Sequence, residues 1–276
     1  MRKAKDKTLK FLMSLCAAVT CLLLIGLIGY LLYRGIPGIN AKFLTTQTSY
    51  ISDSIGILPN ILNTLYLIVL VMIIVVPLGV GAAVYLTEYA SNKRISNAIG
   101  FAVETLTGIP SIIFGLVGML FFTQILGLRQ GILAGSLTLI IMVLPTVISN
   151  TKESLLAVPQ SYREGALALG SGKWHMVRTV VLPNAVDGIV TGCILAVGRV
   201  VGESAALLFT AGFGLKLLGF AKALQSSAAS LTVALYIYAS EEGKFDVAFA
   251  IAVILICITL IINLAASLVG KKVRKS

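Results

Sequence analysis

Charge is what this sequence has least of. Only 12% of its 276 residues are Asp, Glu, Lys or Arg, and the acidic ones number 11. A water-soluble domain carries about 25% charged residues, because its surface must hydrate. A large soluble domain is therefore excluded. Histidine occurs once, at His175, and tryptophan once, at Trp174. A lone imidazole has no partner for triad or metal chemistry, so His175 reads as an exposed or contact residue. Trp174 reads as an anchor at a protein or membrane interface. The four cysteines, Cys16, Cys21, Cys193 and Cys257, lie in apolar runs with no C-x-x-C pair. That pattern argues for small core or lipid-facing side chains over a disulfide or a metal site.

Apolar residues are present in excess. They make up 58% of the chain, and the mean hydropathy is +0.98. A bilayer span needs about 20 mostly apolar residues. Six segments qualify: about 11–33, 62–87, 108–127, 132–150, 188–211 and 246–269. The expected fold class is all-α, a polytopic membrane protein with six transmembrane helices. The first apolar run exceeds the roughly 7–15 residues of a signal-peptide core, and no small-x-small cleavage site follows, so it reads as an uncleaved helix.

Lysine and arginine flanking the spans set the orientation. With the N-terminus inside, the inner side receives Arg2, Lys3, Lys5, Lys7, Lys10, Lys93, Arg94, Lys152, Arg163, Lys173, Arg178, Lys271, Lys272, Arg274 and Lys275. The outer side receives only Arg34, Lys42, Arg129, Lys216, Lys222 and Lys244. Both termini are thus expected in the cytoplasm. The formal net charge of +11 is explained by topology, so no nucleic-acid partner is expected.

Two stretches admit more than one reading. Ile95, Ile99, Val103 and Leu106 recur at helical spacing beside Glu104. They describe a helix lying in the inner interface, with Pro110 starting the true third span. One continuous span from about 98 to 124 is the competing arrangement. Between spans five and six, "SLTVALYIYAS" within about 212–245 is apolar but short, which suits an interfacial or re-entrant element. Pro77 and Pro145, inside spans two and four, mark expected kinks.

The segment "ALALGSGKWHM" (166–176) ends like a phosphate-binding loop. The motif G-x-x-x-x-G-K-[ST] requires Gly at 167 and Ser or Thr at 174. The chain has Leu167 and Trp174, and no core strand precedes the segment, so ATP binding here is excluded. Read as a surface, the loop at about 151–187 gives two short helices. Ser161 and Glu164 form an expected capping box. The first helix stops at Gly170, and the second, about 172–181, is stopped by Pro183. Gly165, Ala166 and Gly170 make a small-residue patch flanked by Leu167 and Leu169. Such an element suits insertion into a groove of another protein, although a plain solvated connection has the same composition.

Glu164, Ala166, Gly170, Val180, Leu182 and Pro183 follow the form E-x-A-x-x-x-G-x9-hydrophobic-x-L-P. This resembles the EAA loop of ABC importer permeases. Gly165 stands where that family usually has alanine. The strings "TGIPSIIFGLVG", "VPQSYREGALALG" and "ILAVGRVVGESAALLFTAG" are similar to the permeases of phosphate uptake. The resemblance implies a type I ABC importer permease fold and an ATPase-coupling role for Glu164, Gly165, Ala166, Leu167, Gly170 and Pro183.

Arg199 and Glu203 lie four residues apart within span five, so an unbroken helix places them on one face. Intramembrane charges are costly and usually face a cavity or each other. A structural ion pair is one reading. The other is a substrate pathway, in which the guanidinium offers its fork of donors to an oxyanion, Glu203 orients it or accepts from a protonated phosphate, and Ser204 and Thr210 add hydroxyls. Phosphate permeases carry a similar Arg and Glu in this span. "GIPS" at 108–111 is a second candidate for facing an anion, beside its plainer role as a helix start.

Together these features imply a multi-pass subunit of the bacterial cytoplasmic (inner) membrane. Residues 1–61 hold the basic segment, the first span and an outer loop. Residues 62–276 hold the five-span core with the coupling loop at 151–187. The implied function is import of inorganic phosphate by an ATP-driven machine. The alternatives are another oxyanion (sulfate, molybdate or phosphonate), or an ion-coupled secondary transporter. The chain itself would be no enzyme and carry no cofactor, with ATP and Mg²⁺ held by a cytoplasmic ABC ATPase dimer. A second homologous permease, an extracytoplasmic phosphate-binding protein and the lipid bilayer complete the expected partners.

Overall fold

A computed structural model describes residues 2–49, 54–90 and 92–275. Helix α1 (Arg2–Gly35) carries the first apolar run. Helix α2 (Ala41–Thr45) and an antiparallel hairpin of β1 (Gln47–Ser49) and β2 (Ser54–Ile57) follow. Helix α3 (Leu58–Val84) continues as a π turn, Tyr85–Tyr89. Next come α4 (Lys93–Thr107) and α5 (Ser111–Gly118), the latter prolonged by a π turn to Ile125. Helix α6 (Ile132–Leu156) leads to the short α7 (Gln160–Ala168). Helix α8 (Lys173–Met176) passes through the π turn Val177–Val181 into α9 (Leu182–Gly202). Helices α10 (Ala205–Thr210), α11 (Phe220–Ala223) and α12 (Leu231–Tyr236) precede α13 (Phe245–Lys275).

Among the described residues five helices are long and apolar enough to cross a membrane, six if α4 and α5 count as one broken span. That pair is bent by 100°. The cause is local: the amides of Gly108 and Ile109 turn back to Thr105 and Leu106, closing α4, and Pro110 has no amide proton to continue it. The break favours the interface helix over a continuous span. Among the described side chains of α4 only Val103 is buried. Ser111–Ile125 is also shorter than the roughly 20 residues that cross a bilayer.

The centre of the bundle is α3, α6 and α9. Leu67, Val71 and Val75 on α3 repeat every four residues and so share one face. They meet Leu139, Met142 and Val143 of α6 and Ala196, Val197 and Val200 of α9, all buried. Helix α1 lies outside this core, with none of its most apolar window buried. It joins α13 through a Tyr30–Phe249 edge contact at 5.6 Å and an Arg34–Asp246 ion pair at 3.2 Å.

The stretch "SLTVALYIYAS" is packed against the bundle along one side, with Tyr236 and Ser240 exposed. Leu231, Ala234 and Tyr238 are fully buried. Asn60 and Asn63 of α3 both donate to the Ala229 carbonyl, at 3.0 and 3.1 Å, and Thr64 accepts from the Leu231 amide at 2.9 Å. Non-helical backbone at membrane depth needs such partners, because lipid supplies none. The segment is thus held by α3, as either an interfacial or a re-entrant element would be.

Candidate functional site

The loop at 151–187 differs in detail from its expected form. Helix α7 begins at Gln160, after Pro159, and no side chain caps it. Ser161 and Glu164 lie inside the helix and are exposed, so the expected capping box is absent. Pro159 sets the entry angle, and its carbonyl accepts from the Tyr162 amide at 3.1 Å. The C-terminal stop is as expected. Gly170 has φ +84, its amide bonds Leu167 O at 2.9 Å, and the Ser171 amide bonds Ala166 O at 3.1 Å. That pair of bonds is a Schellman closure, which needs a left-handed residue.

Pro183 does not stop a helix. The helix runs unbroken from Lys173 to Gly202, because the π turn at Val177–Val181 shifts the bonding register just ahead of the proline. Pro183 follows that π turn after Leu182, and the wider turn, not a helix start, accommodates its missing amide. The loop is therefore one short helix, a glycine turn and the start of a long span. Helix α6 persists to Leu156, so the first residues of the 151–187 segment are helical.

The outward surface of this element is open. No atom lies within 4 Å of a side chain built at Gly165, Gly170 or Gly172. Glu164 and Leu167 are exposed, Ala166 is half-buried, and Leu169 is 90% exposed. The Gly-Ser-Gly-Lys run is the turn between α7 and α8, preceded by helix and not by strand. Its Lys173 ammonium sits 5.1 Å from the Tyr89 ring centroid.

The inward side of α7 holds what sequence reasoning missed. Arg163, noted above only as an inner-side charge, is buried. It pairs with Glu88, in the π turn that continues α3, at 2.9 Å. The two residues are 75 positions apart, and the only sequence signal was an acid placed among lysine and arginine at a span end.

The intramembrane charges are also rearranged. Helix α9 ends at Gly202, and Glu203 is extended (φ −81, ψ 121), so it is not on the Arg199 face. Glu203 is buried. Its Oε1 accepts from the Ala206 amide at 3.0 Å, and its carbonyl accepts from Thr232 Oγ1 at 2.7 Å. The carboxylate thus caps α10, whose first amides have no water to bond. No Arg199–Glu203 ion pair exists among the described residues. Arg199 instead donates to Thr146 Oγ1 of α6 at 3.3 Å. It is half-buried at the edge of a stripe on α9 where Asp187, Thr191, Leu195 and Gly202 are exposed. Ser204 is half-buried. Thr210 is fully buried and its hydroxyl bonds Ala206 O at 2.9 Å, so it does not join Arg199.

A family profile described as "Binding-protein-dependent transport system inner membrane component" matches residues 75–275. The chain is 37% identical over 287 positions to the probable ABC transporter permease protein YqgI of Bacillus subtilis (strain 168), covering 99% of this chain and 98% of that one. It is 35% identical over 181 positions to the phosphate transport system permease protein PstA of Xylella fastidiosa (strain Temecula1), covering 66% and 63%. Against the PstA 1 protein of Mycobacterium tuberculosis (strain H37Rv) it is 35% identical over 199 positions, covering 71% and 64%. Among solved structures, a bacterial alginate ABC transporter superposes with TM-score 0.69 at 18% identity, over 100% and 98% of the chains. The MetNI methionine ABC transporter superposes with TM-score 0.62 at 22% identity, over 79% and 94%.

Proposed function

The chain belongs to the binding-protein-dependent transport system inner membrane components and is a permease subunit of an ABC importer; from that premise we propose that its cargo is inorganic phosphate. The observation that carries the cargo is Arg199, a cation on the open face of a spanning helix. Among the described residues its guanidinium has one modest bond, to Thr146, and its planar fork matches a tetrahedral oxyanion. Similarity to the PstA proteins at 35% identity supports the same reading.

In this reading an extracytoplasmic binding protein delivers phosphate to the hairpin end of the bundle. The exposed face of α7, with Leu167, Leu169 and Gly165, seats in a cytoplasmic ATPase, where ATP and Mg²⁺ reside. Closure of two ATPase subunits moves α7, and the open faces of this chain and a second permease exchange their exposure. Glu203 holds the α9–α10 break rigid, and Arg199 and Ser204 lie along the path.

The test is uptake into proteoliposomes that hold the assembled transporter with its ATPase. ATP-dependent accumulation of labelled phosphate, uncompeted by sulfate or molybdate, is expected. Competition by either anion moves the cargo to that oxyanion, and uptake without an ATPase overturns the importer reading.

A further inference from the structure

The Arg163 guanidinium joins three elements. Nε donates to Glu88 Oε1 at 3.0 Å, and Nη2 lies 2.9 Å from the same oxygen. Nη1 donates to the Val158 carbonyl and Nη2 to the Leu155 carbonyl, both at 2.7 Å. Leu155 and Val158 bracket the end of α6, whose last carbonyls lack helical partners and carry the negative end of its dipole. Glu88 lies in the closing π turn of α3, with its side chain 6% exposed. One residue on, Tyr89 lies under the Lys173 ammonium at the start of α8. Both arms of the α7 turn are therefore fastened to the π turn that continues α3.

A buried ion pair is weak evidence of stability, because apolar residues of like volume often serve as well. What this one supplies is direction. The fork fixes α7 against α3 and α6 at once, and α7 cannot slide along either without breaking charged bonds. Around it, Ala83, Leu155, Val158, Met176 and Val181 exclude water.

We propose that Arg163 is the positioning residue that makes α7 one rigid body with the ends of α3 and α6, so that displacement of α7 reaches the spanning helices. The proposal rests on the importer reading above. It assigns Arg163 and Glu88, which are not on the docking surface, a role in conformational coupling.

The test reads movement, not cargo. The four native cysteines are replaced by alanine, and Leu195→Cys on the open face of α9 reports its reactivity toward a water-soluble maleimide, with and without trapped nucleotide. The assembled transporter is used throughout. The apolar pair Arg163→Met/Glu88→Leu leaves no buried charge unpaired. It is expected to retain the ATPase on purification while the nucleotide-dependent change in labelling falls at least about fivefold. An unchanged response in that variant overturns the proposal. Should the pair fail to assemble, Arg163→Lys keeps a charge for Glu88 but cannot reach all three acceptors, and the same two outcomes decide. Absence of phosphate uptake by the unaltered transporter would count against the cargo alone, because labelling needs only nucleotide.

Discussion

The hydroxyls of Tyr238 and Thr48 meet 2.9 Å apart, and Tyr238 is wholly enclosed. This bond fastens the hairpin at β1 to the turn that follows α12. It ties two parts of one end of the bundle that are 190 residues apart in sequence. Replacing Tyr238 with Phe leaves the ring packing and removes one partner of the Thr48 hydroxyl, which keeps its bond to the Gly56 carbonyl at 2.9 Å. A loss of about 0.5–1.5 kcal/mol is expected, read as a lower unfolding temperature in detergent. Thr48→Val should cost more, because it also removes the bond to the Gly56 carbonyl, and the two losses should be less than additive in the double variant. Additive losses in the double variant would show that the bond contributes nothing.

Gly118 of α5 packs directly on Thr138 of α6: a Cβ at Gly118 would fall on the threonine Oγ1 and Cγ2. Thr138 cannot swing aside, because its hydroxyl is held by the Ala134 carbonyl at 2.9 Å. Gly118→Ala should therefore cost about 1–3 kcal/mol, the usual range for overpacking. Thr138→Ala in that background should restore much of the stability. A stable Gly118→Ala single variant would mean that α5 and α6 part easily here.

Most spans were legible because lipid demands long apolar runs, although span five, read to 211, ends at Gly202; the break at Gly108–Pro110 was legible because proline acts locally. The Gly170 stop was legible for the same reason. What could not be read depended on distant partners. Arg163 and Glu88 meet only because α3 and α6 end side by side. Glu203 left its helix because the amide of Ala206 and the hydroxyl of Thr232 offered bonds there. Pro183 read as a stop because a π turn leaves no simple sequence mark.

Leu169 and Gly170 test the docking surface. At 90% exposure, Leu169 contributes nothing to this chain's own core, so Leu169→Asp should leave the permease folded. Co-purification of the ATPase should fall, since a charge would enter an apolar contact. Gly170→Ala instead strains the turn, because φ is +84. That conformation costs an L-residue about 1–2 kcal/mol, and the effect should appear in both stability and ATPase retention. Full retention with Leu169→Asp would place the contact elsewhere on α7.

Arg199 and Glu203 separate by substitution, because the structure gives them different work. Arg199→Ala should abolish phosphate uptake with assembly intact, and normal uptake would remove Arg199 from the pathway. Thr146→Val, which deletes the guanidinium's partner on α6, should weaken uptake less and raise KM more than it lowers kcat. Glu203→Gln keeps an oxygen for the Ala206 amide, so the cap on α10 survives and uptake should stay near that of the parent. Glu203→Ala leaves that buried amide without a partner, at about 1–3 kcal/mol, and should lower the unfolding temperature. If Glu203→Gln instead loses uptake while its unfolding temperature holds, the carboxylate meets the cargo or its proton directly. The capping bond would then be only part of what Glu203 does.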